Sequence, residues 1–180
     1  MQAISTLQRA PEAASARPDK TRIVEITPAE LESPEVRAIF AIWEERRGRR
    51  PMPTREEIVP KPLGKLLRYI SLTRFVPEDG DYEVRIIGDA HVEAYGRNSP
   101  GERLSAVKST SPEFVAALKH SYDLVRTQRA PLGYRGIMGR DLSQARFDWF
   151  ETLYMPLGGG DVEFILNASV YRPRDGKWPD

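Results

Sequence analysis

The stretch Arg146 to Pro173, RFDWFETLYMPLGGGDVEFILNASVYRP, limits the possible folds more than any other part of the chain. Phe147, Trp149, Glu151, Leu153 and Met155 fall on one face at period two, and Phe150, Thr152 and Tyr154 on the other. After Gly158-Gly159-Gly160-Asp161, Val162, Phe164, Leu166, Ala168 and Val170 alternate with Ile165, Asn167, Ser169 and Tyr171. Such alternation, rich in aromatic and β-branched residues, marks half-buried strands. The glycine run predicts a hairpin loop supplied with positive φ angles. Apolar groups lie on both faces, so both faces are expected to be covered.

The bulk numbers remove several function classes. The 180 residues fit one domain with an extension, because domains typically hold about 100–150 residues. Lys and Arg number 27 against 26 acids, a net charge of +1 that lacks the basic face of a dedicated nucleic-acid binder. There is no cysteine, which excludes disulfides, iron–sulfur clusters, Cys zinc sites and a flavin–cysteinyl adduct. Only His91 and His120 could ligate through imidazole, and no metal-binding spacing is present. No apolar run approaches the ~20 residues of a membrane span. Met1 to Ala10 has no secretory signal pattern, so a cytoplasmic location is expected.

The chain divides into three parts. Residues 1–21 are rich in Ala, Ser, Pro and Gln and are expected to be a disordered tail. Residues 22–67 are expected to be an N-terminal helical extension, in which Ile23, Val24 and Ile26 form a short strand or an apolar latch. Within it, Val36, Ile39, Phe40 and Trp43 make the stripe of an amphipathic helix that ends at Gly48. That stripe suits either a cover for one sheet face or a homodimer contact. Thr27-Pro28-Ala29-Glu30 and Thr54-Arg55-Glu56-Glu57 are capping boxes. The run Arg46-Arg47-Gly48-Arg49-Arg50 fits a cationic helix end better than a phosphate contact.

Residues 68–173 carry the sheet. Tyr69 to Val76 and Tyr82 to Ile87 are strands joined at Pro77-Glu78-Asp79-Gly80. Short helical turns follow Gly88, and Ser111-Pro112-Glu113 starts a longer helix that ends near Gln128. Pro131 to Met138 is a third strand before the long hairpin. Helices set between runs of strands predict an α+β fold: a five-stranded antiparallel sheet with short helices on one face.

These segments together resemble a PAS domain, and more narrowly the single-domain PAS_5 proteins of alphaproteobacteria. The likeness is carried by the Trp43 helix running into Arg47-Gly48-Arg49 and Met52-Pro53-Thr54-Arg55, by Ile58, Pro60 and Leu66-Leu67, and by Arg85-Ile86-Ile87-Gly88. Tyr95-Gly96-Arg97, Gly101 and the pattern Glu151, Leu153, Pro156, Leu157 complete it, over about residues 34–171. Val59, Asp89 and an additional Pro51 depart from the family pattern. The resemblance implies a sensory or regulatory module in signal transduction. Such a module acts by ligand binding or protein–protein contact, with no catalytic set to carry over.

A PAS-like fold can enclose a pocket between the sheet and its short helices. Candidate lining residues are Ile86, His91, Tyr95, Tyr122, Trp149, Glu151 and Leu166, set against their plain use as core. His91 is the one haem ligand the resemblance suggests, but its neighbours Asp89 and Glu93 make a polar setting that weighs against it. The expectation is therefore no cofactor and no metal. Glu151, on an apolar face, is expected to pair with Arg85, Arg135 or Arg146, since a buried ion without a partner costs several kcal/mol.

Two functions from different classes follow. The first is a cytoplasmic regulatory module, homodimeric through the Trp43 helix and signalling through partner proteins, since only Arg172 to Asp180 follow the hairpin. The second is a small α+β-barrel enzyme of isomerase or hydratase type, with Glu151 and His91 as its acid–base pair. The second lacks a nucleophile elbow, metal spacing or phosphate loop, and the first is preferred.

Overall fold

The structure, a computed structural model, describes residues 18–107, 111–142 and 146–173. Up to residue 17, the expected tail lies outside the described residues.

Six antiparallel strands form one sheet: β1 (Arg22–Ile26), β2 (Ile70–Val76), β3 (Asp81–Ile87), β4 (Leu132–Ile137), β5 (Phe147–Leu157) and β6 (Phe164–Pro173). Their spatial order is β1-β4-β5-β6-β2-β3. The expected α+β, PAS-like architecture is present with one more strand than expected. The extra strand is β1, which pairs with β4 from Arg22↔Ile137 to Ile26↔Gly133. Its partner is more than 100 residues away, a pairing that no local pattern announces. Residues 18–21 are also bonded: the Thr21 hydroxyl donates to Asp141 at 2.7 Å, and the Arg140 amide donates to the Pro18 carbonyl at 3.0 Å.

The β5–β6 hairpin is the long central pair, in register from Met155↔Leu166 to Phe150↔Tyr171. Its loop differs from expectation, because none of its three glycines takes a positive φ. Gly158 is needed for proximity instead: a Cβ there would stand 1.9 Å from the Asp161 carbonyl oxygen.

Both sheet faces are covered. On one lies α1 (Pro34–Arg47), whose Val36, Ile39 and Trp43 are fully buried against Leu72, Leu153, Met155 and Leu166. Burying each such side chain is worth about 1.5–3 kcal/mol. The stripe is thus used on the chain's own sheet, so a homodimer through it would first require α1 to leave. Trp43 Nε1 donates to the Pro156 carbonyl at 3.0 Å, which fixes the helix to β5. Gly48 ends α1 with φ 55°, and the arginines on either side of it, Arg47 and Arg50, cap carbonyls and pair with Glu44 and Glu57 respectively. The cationic helix end is what the structure contains. The short helix α2 (Arg55–Ile58) follows, with the Thr54 amide donating to Glu57 at 2.8 Å.

The other face carries α3 (Asp89–Tyr95), a 3-10 turn at Leu104–Ala106 and α4 (Pro112–Gln128). Ser111 caps α4 by accepting the Phe114 N–H at 3.1 Å. Gly88, between β3 and α3, packs so closely that a Cβ would meet the Leu67 and Arg68 carbonyls at 2.4 Å. No helix among the described residues is long and apolar enough to cross a membrane.

Candidate functional site

Between the sheet and the helices on its second face lies a cavity of about 340 Å³. Its floor comes from alternate positions of the central strands: Phe150, Thr152 and Tyr154 of β5, and Asn167, Ser169 and Tyr171 of β6. Ser71 and Thr73 of β2, Val84 and Ile87 of β3 and Tyr134 of β4 extend it. Its roof comes from His91 and Tyr95 of α3 and from Phe114, Leu118 and Tyr122 of α4.

Two strand irregularities decide which residues face inward. In β3, Leu72 pairs with Ile86 but Thr73 pairs with Val84, so Arg85 is an extra bulged residue. A bulge reverses the alternation across it. Val84 and Ile87 therefore share the cavity face, while Ile86 pairs with Leu72 on the α1 face. In β5 a register shift between Phe147 and Trp149 does the same. Phe147 lies among Tyr95, Phe150 and Tyr171 on the α3 side, rather than with Trp149 and Glu151.

Of the residues expected to line a pocket, the structure brings His91, Tyr95 and Tyr122 to the cavity wall. Ile86, Trp149, Glu151 and Leu166 are placed on the opposite face, among or beside the residues that receive α1. With apolar residues on both faces of the hairpin, alternation identifies the two sets without telling which set meets the helices. The residues that sequence reasoning missed are Thr152, Asn167 and Ser169. Three small polar residues at inward positions of adjacent strands were the available signal.

Those three form a tight cluster on the floor. The Thr152 hydroxyl donates to Asn167 Oδ1 at 2.6 Å and the Ser169 hydroxyl to the same oxygen at 2.7 Å. The two hydroxyl oxygens are 2.6 Å apart. Tyrosines surround the cluster, with Tyr122 and Tyr154 edge-to-face at 5.3 Å and Tyr134 6.2 Å from Tyr154. Burial pushes the Tyr122 phenol up to about 12 and holds those of Tyr154 and Tyr171 further above the usual tyrosine value. These groups are neutral at physiological pH.

His91 is buried, contrary to the polar edge expected from Asp89 and Glu93. Both ring nitrogens are engaged. Nε2 donates to the Tyr69 carbonyl at 3.3 Å, which leaves Nδ1 to accept the Tyr171 hydroxyl at 2.8 Å. Burial pushes this imidazole down to about 4. Tyr69 and Tyr171 lie 22 and 80 residues from His91, so local sequence could not predict their effect.

Glu151 is fully buried on the α1 face. Its carboxylate accepts the Glu32 amide at 2.9 Å and the Ser33 amide at 2.8 Å, with Arg135 at 3.5 Å. The expected cross-strand cation is present, but two backbone N–H groups make the closer contacts. Glu151 and His91 are on opposite sides of the sheet, so they do not form an acid–base pair in one pocket. Among the described residues no group of three or more His, Cys, Asp and Glu side chains could hold a metal.

A single sheet closed over short helices and a cavity is the arrangement of a PAS domain. The PAS_5 family model, described as a PAS domain, matches residues 31–159, and the chain belongs to this family. A search of curated proteins returned no match. Among solved structures the chain is similar to one titled "Structure of an RNA-binding Light-Oxygen-Voltage Receptor", with a TM-score of 0.44 and 13% identity. That match covers 88% of this chain and 40% of the receptor chain.

Proposed function

We propose that this PAS domain is a cytoplasmic sensory module that binds a small molecule in the cavity and reports its presence by protein–protein contact. The cavity carries the reading. At about 340 Å³ it lies in the size range of small-molecule sites, and it joins apolar walls to a few convergent polar groups.

The route outward follows from strand geometry. Thr152 and Tyr154 face the cavity, while their neighbours Glu151, Leu153 and Met155 face α1. A ligand that shifts β5 therefore shifts the seat of α1, whose exposed side is available to a partner. His91 has no part as a haem ligand in this account, since both of its imidazole nitrogens are already bonded. Catalysis by Glu151 and His91 is disfavoured by their separation across the sheet.

Native mass spectrometry with an absorption spectrum of the purified full chain tests the reading. The expected result is a retained small molecule that is lost when Leu118→Trp fills the cavity. A chain that neither retains nor takes up any small molecule, or a Leu118→Trp variant that holds it equally well, would overturn the proposal.

A further inference from the structure

We infer that the cavity takes an uncharged, flat ring molecule of about a dozen non-hydrogen atoms, anchored by a hydrogen-bond acceptor on the Asn167 carboxamide. The inference rests on the ligand-sensing reading and adds the chemical class and the anchoring residue.

Neutrality follows from the walls. The polar groups at the cavity centre are hydroxyls and one carboxamide, from Thr73, Thr152, Asn167 and Ser169. Arg97, on the wall, is tied to the Glu102 carboxylate and to the Ser99 hydroxyl at 2.7 Å. His91 has both nitrogens engaged, and His120 reaches the cavity only at its solvent-exposed side, away from the strand floor. A ligand charge placed on the strand floor would lose its hydration without a counter-ion beside it.

Flatness follows from the rings. Tyr122, Tyr134 and Tyr154 meet edge-to-face, so the walls present alternating ring edges and faces. A planar ring meets both in favourable geometry, and a bulky branched molecule does not. Size follows from the volume, since 340 Å³ at about 30 Å³ per water-sized group admits about a dozen such groups.

The anchor follows from hydrogen-bond accounting. Asn167 Oδ1 and the Thr152 and Ser169 hydroxyls lie 2.6–2.7 Å from one another, so the two hydroxyl protons are spent within this triad and that oxygen is occupied. The Nδ2 amide then has two donors at the cavity wall, and among the described residues no hydrogen bond joins it to a protein acceptor. A ring carbonyl or ring nitrogen supplies the missing acceptor. The site would therefore discriminate against a frame lacking one, because its own donors would stay unpaired.

Three matched probes test this on the full chain by calorimetry and by amide NMR: indole-3-carbaldehyde, 3-methylindole and indole-3-carboxylate. The aldehyde is expected to bind at least about tenfold more tightly than either of the others and to shift the Asn167 side-chain amide signals. Its advantage over 3-methylindole should vanish in Asn167→Leu. The wild-type ranking decides the matter even if that variant does not fold. Equal binding of 3-methylindole would remove the Asn167 anchor. Equal or tighter binding of the carboxylate would overturn the neutral class while leaving ligand sensing intact. Binding of none of the three overturns the inference, whereas the sensor reading falls only with the native mass spectrometry outcomes given for it above.

Discussion

Glu151 on β5 accepts the Ser33 amide at 2.8 Å, although 118 residues separate them in sequence. The carboxylate also takes the Glu32 amide, so it supplies acceptors for the backbone just ahead of α1. Hydrogen bonds to a charged group are worth about 1.5–3 kcal/mol. Glu151→Gln keeps the shape, removes the charge and offers one acceptor oxygen for two N–H groups. It is expected to cost about 2–3 kcal/mol in urea unfolding and to speed amide exchange in residues 32–37 more than in β5. Unchanged exchange at the start of α1 would show that the clasp does not hold it.

Trp43 is the second fastening of α1. Trp43→Phe keeps a ring but leaves the Pro156 carbonyl without its indole donor. The expected loss is about 1–3 kcal/mol, read from the denaturant midpoint. Trp43→Ala adds a cavity and should cost about 3–5 kcal/mol.

His91 predicts acid sensitivity. Its folded-state value of about 4 lies below the ordinary 6.5, so the unfolded chain takes up a proton first as pH falls. The contribution is complete above pH 6.5 and is lost as pH falls through about 4. The difference corresponds to about 3 kcal/mol. His91→Phe is expected to be less stable at neutral pH, since the Tyr69 carbonyl and Tyr171 hydroxyl lose their partner. Its urea midpoint should also fall less between pH 6.5 and 4. A variant with the wild-type slope over that window would refute the assignment.

The buried phenols make the opposite prediction at alkaline pH. Tyr82, Tyr122, Tyr154 and Tyr171 are all raised, so each stabilises the fold below pH 10 and ceases to do so as pH rises through its folded value. At about pH 11 the phenolate absorbance of the folded protein should fall short of the unfolded chain by roughly four of its seven tyrosines. Full ionisation without loss of secondary structure would contradict the packing of the cavity.

Deleting residues 1–26 should bare the edge of β4. Unpaired edge strands recruit other edges. Light scattering is expected to show concentration-dependent association of the truncated chain beyond that of the full chain. Identical behaviour of the two would mean β1 does not protect that edge.

Elements announced by local chemistry were legible in the sequence. The Ser111 cap, the Thr54 capping box, the α1 stripe and the β5–β6 alternation each depend on residues close together, and each is present. What could not be read depends on distant partners or on parity. β1 exists because β4 offers its edge, His91 is buried because Tyr69 and Tyr171 receive it, and the bulge at Arg85 turns Ile86 away from the cavity. The Glu151, Leu153, Pro156, Leu157 pattern that carried the family likeness includes the Glu151 and Pro156 contacts that seat α1. It therefore pointed to the face opposite the cavity.

The pairing of β1 also sets the mechanics of the N-terminal side. Ile23 and Leu142 both belong to the cavity rim, and the intervening contacts run through Thr21 and Asp141. A domain fused ahead of residue 18 would pull on that rim like a zipper, one β1–β4 rung at a time. A load applied there would reach the cavity wall before it reached the central hairpin, because β1 and β4 stand between them.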